Sequence, residues 1–238
     1  MTTAPQNGLP AWWSPLAART RGLCQRPLLV HLGSLLKLIP FRPLEVNCLY
    51  FLEYAGIPPL HFGALRGPAE LRRATPADLE ELRAVQDVPL ALKRRFEGND
   101  DCAVALVDGR IVAYQWFCAK PFYIEERYGY KVEIPEDSVY EYDIFILPEY
   151  RLAGIWFKFH CLYLRQLMER LQRRRIIGMV DYGNRLAMNT HLRFGFRLFR
   201  RVIVIRLLGL SFFVEKPLGG AAPFLPRWVA KPKAPQVG

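Results

Sequence analysis

The sequence predicts an α/β fold, on three observations. Between residues 69 and 210, short apolar runs bounded by turn residues exchange with longer runs of helical spacing. Asp108-Gly109 separates CAVALV (102–107) from RIVAYQWFC (110–118), and this dipeptide favours the φ > 0 geometry of a tight hairpin. A helix-patterned stretch, 154–173, stands between strand patterns at 139–147 and 176–182. It is long enough for the crossover that two parallel strands require.

The elements follow in order. Pro27 opens a helix whose apolar positions Leu28, Leu32, Leu35, Leu36 and Ile39 keep helical spacing until Pro40. Arg26, His31 and Lys37 lie off that stripe, so residues 27–39 either make a peripheral membrane contact or pack on their own domain. LEVNCLYFLEY (44–54) reads as a strand, and Pro58-Pro59 begins a linker. Residues 1–66 thus form an N-terminal extension of one helix and one strand. LRRAT (71–75) is a short strand, and Thr75 caps a helix with Pro76 at its first position and Asp78 three residues after the cap. After the hairpin come strand 139–147, stopped by Pro148, helix 154–173, strand 176–182, helix 185–194 and strand 198–208. Phe157, Cys161, Leu164, Met168 and Leu171 carry the apolar spacing of the long helix. Residues 69–210 form one domain. Residues 217–238, with five prolines and Gly219-Gly220, read as a flexible tail.

Composition narrows the function. Of 238 residues, 51% are apolar, enough for a full core, yet no apolar run reaches the ~18 residues needed to span a bilayer. The N-terminus lacks the charged start and apolar stretch of a signal peptide. Cys24, Cys48, Cys102, Cys118 and Cys161 are odd in number with no C-x-x-C pair, which points to a reducing, cytoplasmic setting. His31, His61, His160 and His191 show no metal-ligand spacing, so no metal is expected. The net charge of +11 is unevenly placed. Residues 165–206 hold eleven arginines against Glu169 and Asp181, a net +9, while 125–149 hold eight acids against Arg127 and Lys131, a net −6. This asymmetry suggests one anionic and one cationic ligand. The acidic block would repel phosphates, and zinc-finger, RRM and KH patterns are missing from the sequence, so nucleic acid is not an expected partner.

Two motifs carry the chemistry. In the first, strand 139–147 ends at Pro148, and Glu149-Tyr150-Arg151-Leu152-Ala153-Gly154-Ile155-Trp156 leads into a helix. The free N–H groups and dipole at a helix start suit a diphosphate. In the second, Asn184 follows a strand and caps the next helix, which Gly195 ends before Phe196.

In this order, about 30 residues apart, the two motifs resemble the GNAT superfamily of acyl-CoA-dependent N-acyltransferases, across roughly 69–210. The resemblance implies a mixed, splayed β-sheet flanked by helices, with pantetheine between 139–147 and 176–182 where those strands part. It implies acetyl-CoA or another acyl-CoA as co-substrate. Arg151, Leu152, Ala153, Gly154, Ile155 and Trp156 fall on the family's diphosphate loop, Asn184 on its pantetheine-side Asn, and Ile146 or Leu147 on its backbone donor to the thioester carbonyl. The sequence departs at three places. Trp156 stands where the family has a small residue, Leu152 where a glycine is common, and His191 where a tyrosine protonates the departing thiolate. The indole either fills the phosphate site or turns away from it.

Acyl transfer to an amine needs a neutral nucleophile, a donor for the carbonyl oxygen and a proton for the thiolate. Glu141 and Asp143, on one face of strand 139–147 by alternation unless a bulge re-aims one, are the candidate bases. His191 is the candidate acid. The expected activity is N-acyl transfer, most simply acetyl transfer, to a small-molecule or protein amine, with O-transfer also open. The alternative is a non-catalytic GNAT-like module in a complex or at a membrane surface, favoured by Trp156.

Overall fold

A computed structural model describes residues 44–60, 69–86 and 89–218. The helix read at 27–39, its membrane contact, and all of the tail except Pro217 and Leu218 lie outside the described residues. The described residues divide between two compact units, those within Phe51–Met179 and those of 44–50 with 180–218. Strands β1 (Leu44–Ala55) and β8 (Arg175–Asp181) run through the points of division.

The central unit is a mixed sheet flanked by helices. Its strands are β2 (Glu70–Arg73), β3 (Asp101–Val107), β4 (Arg110–Cys118), β7 (Ser138–Ile146) and the start of β8, in the order β8-β7-β4-β3-β2. Antiparallel pairing joins β2 to β3, β3 to β4 and β4 to β7. Asp108 (φ 51°) and Gly109 (φ 76°) make the hairpin turn read from the sequence. β7 and β8 are parallel, as the intervening helix requires.

Helix α1 (Leu79–Val85) begins after a 3₁₀ turn, Pro76–Asp78. Asp78 accepts from the Thr75 N–H at 2.7 Å and from both Arg72 terminal nitrogens at 2.7 and 2.8 Å. The Arg72 hydrogen bonds, foremost, hold the Asp78 carboxyl down at about 2. Helix α2 (Pro89–Glu97) has no counterpart in the sequence reading. Leu82 and Leu92 bury against Cys102, Val104, Ile111, Tyr114 and Trp116, forming the core on one face of β3 and β4.

The long helix is one helical run in three parts: α3 (Ile155–Lys158), a π-helical stretch (Phe159–Leu164) and α4 (Arg165–Leu171). Gln172 and Gly154, both left-handed, bracket it. The acidic region holds a two-stranded hairpin absent from the sequence reading, β5 (Phe122–Glu125) with β6 (Tyr130–Glu133).

The second unit carries helix α5 (Arg185–Phe194), β9 (Arg197–Leu207) and β10 (Leu210–Pro217), the last two antiparallel. The sequence reading stopped at 208 and missed β10. Leu208 (φ 49°) and Gly209 (φ 86°) supply its hairpin turn, but Leu-Gly is a weak turn signal. Among the described residues no helix is long and apolar enough to cross a membrane.

Candidate functional site: the free edge of β7

β7 and β8 pair only from Ser138↔Arg175 to Glu141↔Gly178, while β7 continues to Ile146. Past Glu141, among the described residues, its pairing is with β4 alone. This is where the parallel strands part.

At the end of that edge, the two expected backbone donors separate. Leu147 N–H is committed, donating to Val112 O at 3.0 Å. Bonded and non-bonded pairs alternate in an antiparallel ladder. Ile146, opposite Ala113, therefore turns its N–H and C=O away from β4. Arg151 confirms the direction, since its Nε donates to Ile146 O at 3.3 Å. The exposed guanidinium thus sits on the free edge of β7.

The chain then turns through a 3₁₀ segment, Pro148–Tyr150, and reaches Gly154 at φ 72°. A left-handed residue at the helix N-cap lets the run start without a Cβ penalty. The helix start at Ile155 points the positive end of the helix dipole at the loop. Leu152, in place of a glycine, is 99% exposed. Trp156 turns away from the loop: its ring stacks on His160 with centroids 3.7 Å apart and planes at 28°.

Glu141 and Asp143 do not share a face. The β4–β7 register passes from Gln115↔Ile144 to Trp116↔Tyr142, so Asp143 is the extra residue of a bulge, at φ 40°. Tyr142 and Asp143 both reach the α1–α2 face. There Tyr142 stacks on Trp116 and donates to Asp100 at 2.6 Å, while Asp143 accepts from Arg95 and lies 3.4 Å from Tyr114 Oη, whose hydrogen goes to Gln86 Oε1. Arg95 lies over Tyr142 and Trp116 and also pairs with Glu126 at 2.7 Å. Burial pushes the Tyr114 and Tyr142 hydroxyls well above their usual range, so both act as donors. The Asp143 side chain keeps 24% exposure.

Glu141 takes the opposite face and is 4% exposed. Its Oε2 accepts from Gln115 Nε2 at 2.9 Å and meets His160 Nε2 at 2.6 Å. His160 Nδ1 donates to Trp156 O at 2.9 Å. His160 has no metal-ligand spacing in the sequence, so spacing does not mark it. The usable signal was a histidine one helical turn after the loop, on a helix packed against an acidic strand.

The acidic segment is largely engaged within the chain. Besides Glu126, Glu141 and Asp143, Glu125 caps its own turn, Glu133 faces Lys131 and Asp137 faces Arg175. Less of its charge is left to attract a cationic ligand than the sequence count suggests.

In the second unit, Asn184 Oδ1 accepts from Ala187 N at 3.1 Å, the cap expected of it. His191 is buried, set edge-on to Phe196, and its Nδ1 donates to Ala187 O at 2.7 Å. A neutral imidazole has one N–H, and here that hydrogen is used within the helix. His191 therefore offers an acidic Nε2–H only as imidazolium. Among the described residues no group of His, Cys, Asp and Glu is placed to hold a metal.

No protein-family model matches this sequence. No curated protein matches it either. Solved structures do. A functionally unknown conserved protein from Staphylococcus epidermidis is 13% identical, with a TM-score of 0.50, 73% of this chain covered and 65% of that one. The GCN5-related glucosamine N-acetyltransferase region of a fungal multi-domain β-N-acetylglucosaminidase is 15% identical, with a TM-score of 0.53, 72% of this chain covered and 22% of that one. The chain therefore spans less than two thirds of either protein. Its fold is the GNAT fold: a mixed sheet flanked by helices, with the parallel pair parting beside a loop that opens a helix.

Proposed function

We propose that this chain is an acyl-CoA-dependent N-acyltransferase, most simply an acetyltransferase. The observation that carries the reading is the edge of β7, where Ile146 turns its N–H away from β4 just before a loop that ends in a helix start. The residues fit a CoA thioester. Ile146 N–H is placed to donate to the thioester oxygen, where negative charge develops as an amine attacks. Arg151 and the dipole of the helix start supply positive potential for a diphosphate, and the Trp156 ring leaves that loop clear.

The bulge sorts the two carboxylates. Asp143 is reachable from solvent and takes the role of base, removing the proton from the incoming ammonium, directly or through water. Glu141 is enclosed and holds structure. The hydrogen of His191 stays within its own helix, on Ala187 O, so thiolate departure is given no side-chain acid in this reading. The cytoplasmic expectation stays within this proposal, supported by the buried thiols of Cys48, Cys102 and Cys118, none of them in a disulfide. Burial pushes the Cys48 and Cys118 thiols up to about 11, which keeps them unreactive.

The test is thiol release from acetyl-CoA with a panel of amines. An amino sugar comes first, because the fungal region of like fold is described as a glucosamine N-acetyltransferase, followed by a polyamine, an amino acid and a lysine peptide. Amine-dependent thiol release supports the reading. One observation favours the second reading, a non-catalytic GNAT-like module: both candidate bases already have partners. Saturable CoA binding with no release for any amine would select it.

A further inference from the structure

We propose that His160 is a positioning residue for the CoA loop, tying the start of the helix to the fork of β7 and β8. The inference rests on the acyl-CoA reading above. The ring bridges two elements. Nδ1–H donates to the carbonyl of Trp156, in the first turn of the helix, and Nε2 meets Glu141, the last β7 residue paired with β8. The indole of Trp156 stacks on the same ring.

The chemistry fixes the arrangement. A carbonyl only accepts, so Nδ1 carries a hydrogen. At 2.6 Å, Nε2 and the carboxylate oxygen share a second hydrogen, since two lone pairs facing at that distance would repel. The pair is then neutral as a unit, which suits 0% exposure for His160 and 4% for Glu141. Gln115 donates to the same Oε2 from β4. Gly178 leaves the room the carboxylate occupies, since a Cβ there would lie 2.8 Å from Glu141 Oε1. The wedge at the fork and the orientation of residues 154–157 are thus set by one imidazole. The π-helical stretch begins at Phe159. It alters the helical register at the point where His160 must face β7, and such segments are frequent at functional sites.

The experiment is calorimetric titration of the full chain with CoA, for wild type, His160→Gln and the double variant His160→Phe/Glu141→Met. The double variant keeps ring size and removes the buried carboxylate, so folding does not depend on an unpaired charge. Asp143, Ile146 and Arg151 are untouched. The expected result is CoA binding by wild type, at least about tenfold weaker binding by the folded double variant, and recovery of most of the loss in His160→Gln, whose amide can still donate. Wild-type affinity in the folded double variant would reduce His160 to packing and overturn the proposal while leaving the CoA reading intact. Absence of binding by wild type at millimolar CoA would overturn both. Should the double variant not fold, the His160 Nδ1–H resonance of the wild-type chain decides. A shift on adding CoA supports the proposal, and an unmoved resonance at saturating CoA overturns it.

Discussion

Gly178→Ala isolates the wedge between β7 and β8 with a single methyl group. Gly178 is in a strand and outside the left-handed region, so alanine meets no backbone strain there. In the absence of a clash, Gly→Ala at such a position stabilises by about 0.4–1 kcal/mol by restricting the unfolded chain. Here the new Cβ would stand 2.8 Å from Glu141 Oε1 and 3.2 Å from Cγ. Ordinary contact begins at 3.4 Å, so the carboxylate must move by about 0.6 Å or the strands must part further. His160 and Gln115 hold that carboxylate at 2.6 and 2.9 Å. A charge-assisted hydrogen bond of this kind contributes about 1.5–3 kcal/mol. Losing most of it against the backbone gain leaves a net destabilisation of about 1–2 kcal/mol. Urea unfolding should show a lower midpoint with unchanged slope. Gly183→Ala, where a Cβ meets nothing within 4 Å, serves as the control and should be neutral or stabilising. A Gly178→Ala protein as stable as wild type, or more so, would mean that Glu141 is not held against β8, and the wedge would fall with it.

Four further outcomes are expected. Asp78→Asn should cost about 1–2 kcal/mol at pH 7, because the amide still accepts from the Thr75 N–H but the charge that holds Arg72 is lost. The folded carboxyl titrates at about 2, below its unfolded value of about 3.9. Its contribution is therefore complete above pH ~4 and lost as pH falls through 2, and the gap in urea midpoint between variant and wild type should close at low pH. An equal gap at both pH values would contradict this. Arg151→Glu should weaken CoA binding by about tenfold or more, and added salt should weaken the wild type. Indifference to both would remove Arg151 from the loop's function. Asp143→Asn should lower kcat by about 10²-fold or more with CoA affinity little changed, and an equally active variant would exclude Asp143 as base. His191→Phe should keep kcat within about threefold, because the ring's hydrogen is committed to Ala187 O, whereas a large loss would reinstate it as the acid.

The parts of the fold that local chemistry dictates were legible in advance. Asp108-Gly109 specified its turn, Pro148 and Gly154 marked the loop, and the helix between β7 and β8 required them to be parallel. What stayed hidden depended on pairing across distance. Nothing in VYEYDIFIL announces that Asp143 is a bulge residue, because the extra residue is defined only by its register on β4. The period-2 rule therefore placed Glu141 and Asp143 together, where the structure separates them. The choice between Ile146 and Leu147 likewise turned on which N–H meets Val112. His160 was readable as a residue but not as a partner. Its role comes from Glu141, nineteen positions earlier. The Trp156 question could be posed from the sequence, and it was answered by the ring His160 presents.

Amide NMR of the labelled full chain with CoA tests the central claim most directly. If the free edge of β7 and the helix start hold acyl-CoA, the amides of Ile146 and residues 154–157 should shift on titration, and the Leu147 N–H, donated to Val112, should move less. Shifts confined to other parts of the chain, or none at millimolar CoA, would contradict it.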